Sequence, residues 1–186
     1  MKRILQKRYI KTALAEQKEH PNPPSSLQVG QLMFLQKETQ WELIEHSRAF
    51  FAKRRADWHL LLYIHSSQPN IPEAYKQAPW LSILSSKEVN WLGLPQAAPI
   101  GDFLSRDYSI LLNSAQTDCF PLLYVLAQTR SVLKIGSEYS ALTPLDFYDV
   151  VLGGYENEAE WGDLLTQCFS IIKPEYCGRK SDGRLF

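Results

Sequence analysis

Trp58-His59-Leu60-Leu61-Leu62-Tyr63-Ile64-His65 decides the fold class. The run is apolar at nearly every position, so it does not alternate like a strand with one wet face. It is too short for a helix of ordinary length, and Ser66, Ser67 and Pro69 close it. A short continuous apolar run bounded by turn residues reads as a strand buried on both faces. Tyr108-Ser-Ile-Leu-Leu-Asn113 has the same character.

Working outward, Leu27–Leu35, residues 80–85, Ser131–Ile135 with Gly136 after it, and Phe147–Leu152 read as further strands. Helical patterns stand among them. Thr39 and Glu42 form a capping box ahead of Leu43, Ile44, Ser47, Phe50 and Phe51. A helix is expected from about Asp118, with Pro121 in its first turn. The last helix starts at a capping box of Asn157 and Glu160, and places Trp161, Leu164, Leu165, Cys168, Phe169 and Ile172 on one stripe before Pro174. Trp91-Leu92-Gly93-Leu94-Pro95 reads as a turn or loop. Short strands alternating with helices imply βαβ units. The expected fold is α/β: a three-layer, Rossmann-like, mostly parallel sheet of about five or six strands, with a basic N-terminal helix.

The expected organisation is a basic amphipathic helix over 1–20, a proline-rich linker over 21–26, an α/β domain over 27–175 and a loose tail over 176–186. The linker holds Pro21, Pro23 and Pro24. Composition is that of one globular domain: 186 residues, 45% hydrophobic and 22% charged. Lys plus Arg is 20 and Asp plus Glu is 20, so no basic field covers the whole chain, and nucleic-acid binding is weakly supported. The cations cluster instead. Lys2, Arg3, Lys7, Arg8, Lys11 and Lys18 against Glu16 and Glu19 leave residues 1–20 at +4. No apolar run approaches a membrane span, and no secretory signal is visible. Three cysteines without paired spacing suit a reducing compartment, and the cytoplasm is the expected location.

Several chemistries find no signature. Neither G-x-G-x-x-G nor G-x-x-x-x-G-K-S/T occurs, so no phosphate loop is expected. Gly153-Gly154 precedes Glu156, Glu158, Glu160 and Asp163, which would repel an anion there. His20, His46, His59 and His65 show no metal-ligand spacing, and His59 and His65 would lie about 20 Å apart along one strand. Cys119 falls near a helix N-terminus, where a thiolate is favoured, but Asp118 beside it opposes ionisation. A structural thiol is the expectation. No catalytic residue, metal or cofactor is assigned.

Two candidate regions remain. Open α/β sheets bind ligands beyond the carboxyl ends of their strands. His65, Ser66 and Ser67 fall there, as do Ser85 and Ser86, and Asn113, Ser114 and Gln116. Each also suits an ordinary loop, whose backbone needs polar partners. The basic leader is the other region. Ile4, Leu5, Tyr9 and Ile10, with Lys2, Arg3, Lys7, Arg8 and Lys11, could meet an anionic membrane surface, nucleic-acid phosphates, a protein partner or a second copy, or could pack on the leader's own domain.

Glu88–Pro95, Asp107–Leu112, Phe120–Tyr124 and Leu133–Gly136 resemble an uncharacterised bacterial family, known only as a domain of unknown function. The resemblance spans roughly residues 1–175. It implies a small α/β protein with a basic N-terminal helix in a bacterial cytoplasm, and it implies no activity. Residues 107–136 are also similar to part of the N-terminal half of heptosyltransferase-type glycosyltransferases. That similarity implies a Rossmann-like half. In those enzymes the nucleotide-sugar binds mainly in a second half, and this chain has room for one. Two functions follow: a non-enzymatic binding or scaffold domain, or a nucleotide- or nucleotide-sugar-binding enzyme domain assembled from His65, Ser66, Asn113 and Ser114. An RNA-associated accessory role is a third reading.

Overall fold

A computed structural model describes residues 1–17, 24–35, 41–115, 118–136, 142, 147–152 and 158–171. The elements in chain order are α1 (Lys2–Glu16), β1 (Gln28–Leu35), α2 (Trp41–Lys53), β2 (Asp57–Ile64), β3 (Leu81–Ser85), α3 (Ala97–Leu104), β4 (Tyr108–Asn113), α4 (Phe120–Gln128), β5 (Ser131–Gly136), β6 (Val150–Val151) and α5 (Glu158–Ile171). The six strands form one sheet in the order β3-β2-β1-β4-β5-β6. Every neighbouring pair is parallel. This is the doubly wound, Rossmann-like order: the chain steps outward from β1 to β3, returns through α3, and steps outward again from β4 to β6.

The run around residue 60 is apolar because β2 lies inside that sheet. Leu60, Leu62 and Ile64 pack on the side of α2 and α5. Leu61 and Tyr63 pack on the side of α3 and α4. From Leu60 to Ile64 both faces of the strand are therefore dry, and only Asp57 and His59 at its start reach water. In β1, Gly30 admits a neighbour. A Cβ there would stand 2.8 Å from Leu111 Cδ1 and 3.0 Å from the Tyr108 ring. Tyr108 is fully buried, and its hydroxyl donates to Phe103 O at 3.2 Å.

Three expectations need correction. The leader does not stand apart from the domain. α1 lies along α4, and Gln6, Ile10 and Ala13 are buried. Ile10 is 0% exposed inside the core, so it is not presented to a partner, and Leu5 is half-buried. The buried side of α1 packs on the chain's own domain, the alternative that a helical stripe leaves open.

Second, α3 was not expected. Ala97-Ala98-Pro99-Ile100-Gly101-Asp102-Phe103-Leu104 contains a proline and a glycine. Pro99 falls in the first turn, where its missing N–H would have had no intrahelical partner. Ile100 and Phe103 bury the helix against the sheet, and this packing overrides the weak propensity. Third, the last strand is shorter than Phe147–Leu152. Only Val150 and Val151 pair, while Phe147 and Tyr148 are buried ahead of them. The capping residues Thr39 and Asn157, the prolines Pro21, Pro23 and Pro174, Gly153, Gly154 and Cys177 lie outside the described residues. Among the described residues no helix is long and apolar enough to cross a membrane.

Candidate functional site

β1 runs beyond β4. Their last paired position is Leu32 with Asn113, and β1 continues to Leu35. Strand order reverses between these two strands, so a step forms at the switch point, where ligands of such sheets bind. An open cleft of about 460 Å³ lies there. Phe34 of β1 and Tyr63 of β2 form its floor, with rings stacked 5.5 Å apart. Cys119, Phe120 and Pro121 at the start of α4 form one wall, and Lys2 and Gln6 of α1 contribute to another.

The remaining wall is the turn after β3. Ser85 opens it as the cap of a short 3-10 turn, its N–H and hydroxyl both donating to Glu88 Oε2 at 2.7 Å. Asn90 Oδ1 then accepts from the N–H groups of Leu92 and Leu94 at 2.9 and 3.0 Å. Gly93 has φ of +89°, a conformation that a side chain disfavours, and Phe120 packs close against it. Gln6 Nε2 donates to Leu92 O at 2.7 Å and ties the turn to α1. The loop expected at 91–95 is therefore a braced wall with Trp91, 73% exposed, at its rim.

The sequence candidates separate in this setting. His65 lines the cleft, and its Nδ1 is hydrogen-bonded to the Tyr63 hydroxyl at 3.1 Å. Burial pushes the Tyr63 phenol up, with a smaller contribution from Cys119. Ser86 also lines the cleft. Ser66 is used by its own turn: its Oγ accepts from Gln68 N at 3.3 Å, and its carbonyl accepts from Ser86 N at 3.0 Å. Ser67 is exposed and is not part of the cleft lining. Gln116 lies outside the described residues.

Asn113 and Ser114 are buried and committed to the fold. Asn113 Nδ2 donates to the Tyr148 hydroxyl at 2.7 Å, and its Oδ1 accepts from Ala115 N at 3.2 Å. Ser114 Oγ donates to Leu32 O at 2.9 Å and accepts from Gln31 Nε2 at 3.2 Å. Both face inward to protein rather than outward to a ligand. Their sequence positions were right for a ligand loop, but strand ends also need polar pins.

Cys119 is 6% exposed. Burial pushes its thiol up to about 12, and a backbone hydrogen bond from Leu122 offsets this only in part. The helix-terminus argument for a thiolate therefore loses to desolvation, and Cys119 stays a thiol at neutral pH. Among the described residues no group of three or more His, Cys, Asp or Glu could hold a metal ion.

Sequence reasoning missed Phe34, Asn90, Trp91, Phe120 and the contribution of Lys2 and Gln6 to the cleft. Asn90 ahead of Gly93 was a legible turn signal. Nothing local marks Lys2 and Gln6, which reach the cleft only because α1 docks beside α4.

A search of curated proteins found no match to the chain. The profile described as "Family of unknown function (DUF6913)" matches residues 2–160, from the first residue of α1 into the first turn of α5. The match covers the whole sheet and every wall of the cleft, and the chain belongs to this family of unknown function.

Proposed function

We propose that this chain is a non-enzymatic binding domain whose cleft takes a small molecule bearing a flat ring. One observation leads to this reading. The step at the switch point is walled by Phe34, Tyr63, Trp91 and Phe120, whereas the nearby amide of Asn113 and hydroxyl of Ser114 are locked into the fold. Aromatic faces bind rings by stacking and exclude water. A few polar groups at the margin set orientation, and here they are His65, Lys2 and Asp118. The protonated state of Cys119 supports binding over nucleophilic chemistry. Its free, buried thiol also suits a reducing compartment such as the cytoplasm.

A nucleotide or nucleotide-sugar is the second reading, and the position of the cleft at the switch point favours it. The base would supply the ring and Lys2 a cation for phosphate. The absence of a glycine-rich loop after β1 weighs against it, since backbone amides then do not cradle the phosphates.

The test is a thermal-shift screen of nucleotides, nucleotide-sugars and aromatic metabolites on the full chain. A ligand at one hundred times its Kd should add about 2.7 kcal/mol of stability. That is roughly 5–10 °C in Tm for a chain of this size. His65→Ala and Phe34→Ala should each remove the shift caused by that ligand. If no compound shifts the melt, or the shift survives both substitutions, the cleft is not the binding site. Turnover of a bound ligand by the wild type would overturn the non-enzymatic reading in favour of the enzyme.

A further inference from the structure

We propose that the outward face of α1, with the Trp91 turn beside it, docks the protein on an anionic phospholipid surface. The inner face of α1 is already occupied by the domain, through Gln6, Ile10 and Ala13. Its outer face is therefore fixed in place. Ile4, Lys7, Arg8 and Lys11 follow at i, i+3, i+4 and i+7, and all four are exposed. Lys2 and Arg3 are exposed in the first turn.

Among the described residues nothing neutralises this strip. No acid precedes Glu16 in α1. None of Lys2, Arg3, Lys7, Arg8 and Lys11 makes an ion pair among the described residues. Cations in the first turn oppose the helix dipole, and Lys7 and Lys11 repel one another at i, i+4. An anionic partner relieves all of these terms at once.

Exposed apolar side chains stand on this helix and on the turn tied to it. Five large hydrophobic residues are exposed among those described, and Met1, Ile4, Tyr9 and Trp91 belong to α1 or to the adjacent turn. Ile4 is 72% exposed and Trp91 73%. The bond from Gln6 to Leu92 holds that turn against the helix. Cations around an exposed aliphatic residue, with a tryptophan on the adjoining turn, suit the headgroup region, where aliphatic groups enter the acyl boundary and indole sits at the interface.

Other anionic partners fit less well. Single-stranded RNA would stack successive bases on aromatic faces, but Ile4 offers none and Tyr9 packs edge-on against Tyr124, which leaves this surface a single platform at Trp91. The core of a protein interface is depleted in lysine, and three of the five cations are lysines.

Co-sedimentation of the full chain with vesicles tests the proposal. Phosphatidylcholine vesicles with about 30% phosphatidylglycerol should bind the protein, and pure phosphatidylcholine should not. Each cation near an anionic surface raises partitioning about fivefold. Lys7→Gln with Arg8→Gln should therefore weaken binding about 25-fold. Ile4→Ser should weaken it as well, by removing the inserted apolar group. All three residues are exposed, so the melting temperature of each variant reports that the fold is intact. His65→Ala should leave vesicle binding unchanged, which distinguishes docking from ligand binding in the cleft that Lys2 and Trp91 also line. Equal binding to both vesicle types would overturn the proposal. So would binding unaffected by these substitutions, or preference for an RNA oligomer over anionic vesicles.

Discussion

Replacing Gln31 by leucine should destabilise the domain far more than its conservative volume suggests. Gln31 is fully buried in β1. Its Oε1 accepts from Trp58 Nε1 at 2.9 Å, and its Nε2 donates to Ser114 Oγ at 3.2 Å and Ser47 Oγ at 3.4 Å. Trp161 Nε1 donates to Ser47 Oγ at 3.0 Å. Both hydroxyls pass their protons on, Ser47 to Leu43 O at 3.0 Å and Ser114 to Leu32 O at 2.9 Å. One amide thus joins β1, β2, α2, α5 and the end of β4.

In Gln31→Leu the seryl hydroxyls keep the bonds they donate, but Trp58 loses its acceptor in a dry interior. An orphaned buried donor costs about 1–3 kcal/mol, and each further lost bond about 0.5–1.5. The added apolar burial of leucine offsets part of this. A net loss of about 2–4 kcal/mol is expected, roughly 5–15 °C in Tm. Urea unfolding followed by tryptophan emission measures it. Gln31→Glu tests the same site through pH. Burial would raise the folded pKa of the new carboxyl above its unfolded value, so stability is lost as pH rises through that window. The glutamate variant should therefore gain on the leucine variant between pH 7 and pH 5. A leucine variant within about 1 kcal/mol of wild type would refute the account, since it would mean that water or another group replaces the amide. So would a glutamate variant that is flat with pH.

Three further outcomes are expected. A Cβ at Gly136 would overlap the Tyr148 ring, which lies over that position and is bonded to Asn113. Gly136→Ala should cost about 1–3 kcal/mol, and markedly less in a Tyr148→Ala background, as a double-mutant cycle would measure. Burial lowers the Lys134 ammonium to about 8, Asp149 opposing it, and its Nζ donates to Gln17 Oε1 at 2.8 Å. The unfolded chain then binds the extra proton between about pH 8 and 10.5, so wild-type stability should rise across that range relative to Lys134→Met. Parallel slopes in the two proteins' urea titrations would count against a desolvated ammonium at Lys134. Finally, Cys119 should resist alkylation at pH 7 in the folded chain and react quickly in urea, as peptide mass mapping would show. Fast modification of the native protein would contradict the protonated, enclosed thiol.

The two halves of the candidate site differed in legibility. His65 and Ser86 follow strands, and strand ends are readable from apolar runs, so their place at the sheet edge was legible, and both line the cleft. Asn113 and Ser114 carry the same local signal, yet their partners Tyr148, Leu32 and Gln31 are distant in sequence. A polar residue after a strand looks alike whether it waits for a ligand or for another part of the chain. The basic leader is similar. Its stripe predicted a helix with one buried face, and only docking on α4 decided what buries it.

Except for α3, which forms through packing that overrides its weak propensity, the sequence alone shows the elements, because strand burial and helical periodicity are local consequences of which side chains can leave water. It also determined the class of sheet, since nearly continuous apolar runs require cover on both faces. Tertiary structure alone decided the strand order, the step between β1 and β4, and the cleft that fills it. It also decided that Ile10 faces inward while Ile4 faces solvent. These depend on contacts between residues far apart in the chain, and their energies are set by what each side chain meets rather than by its own identity.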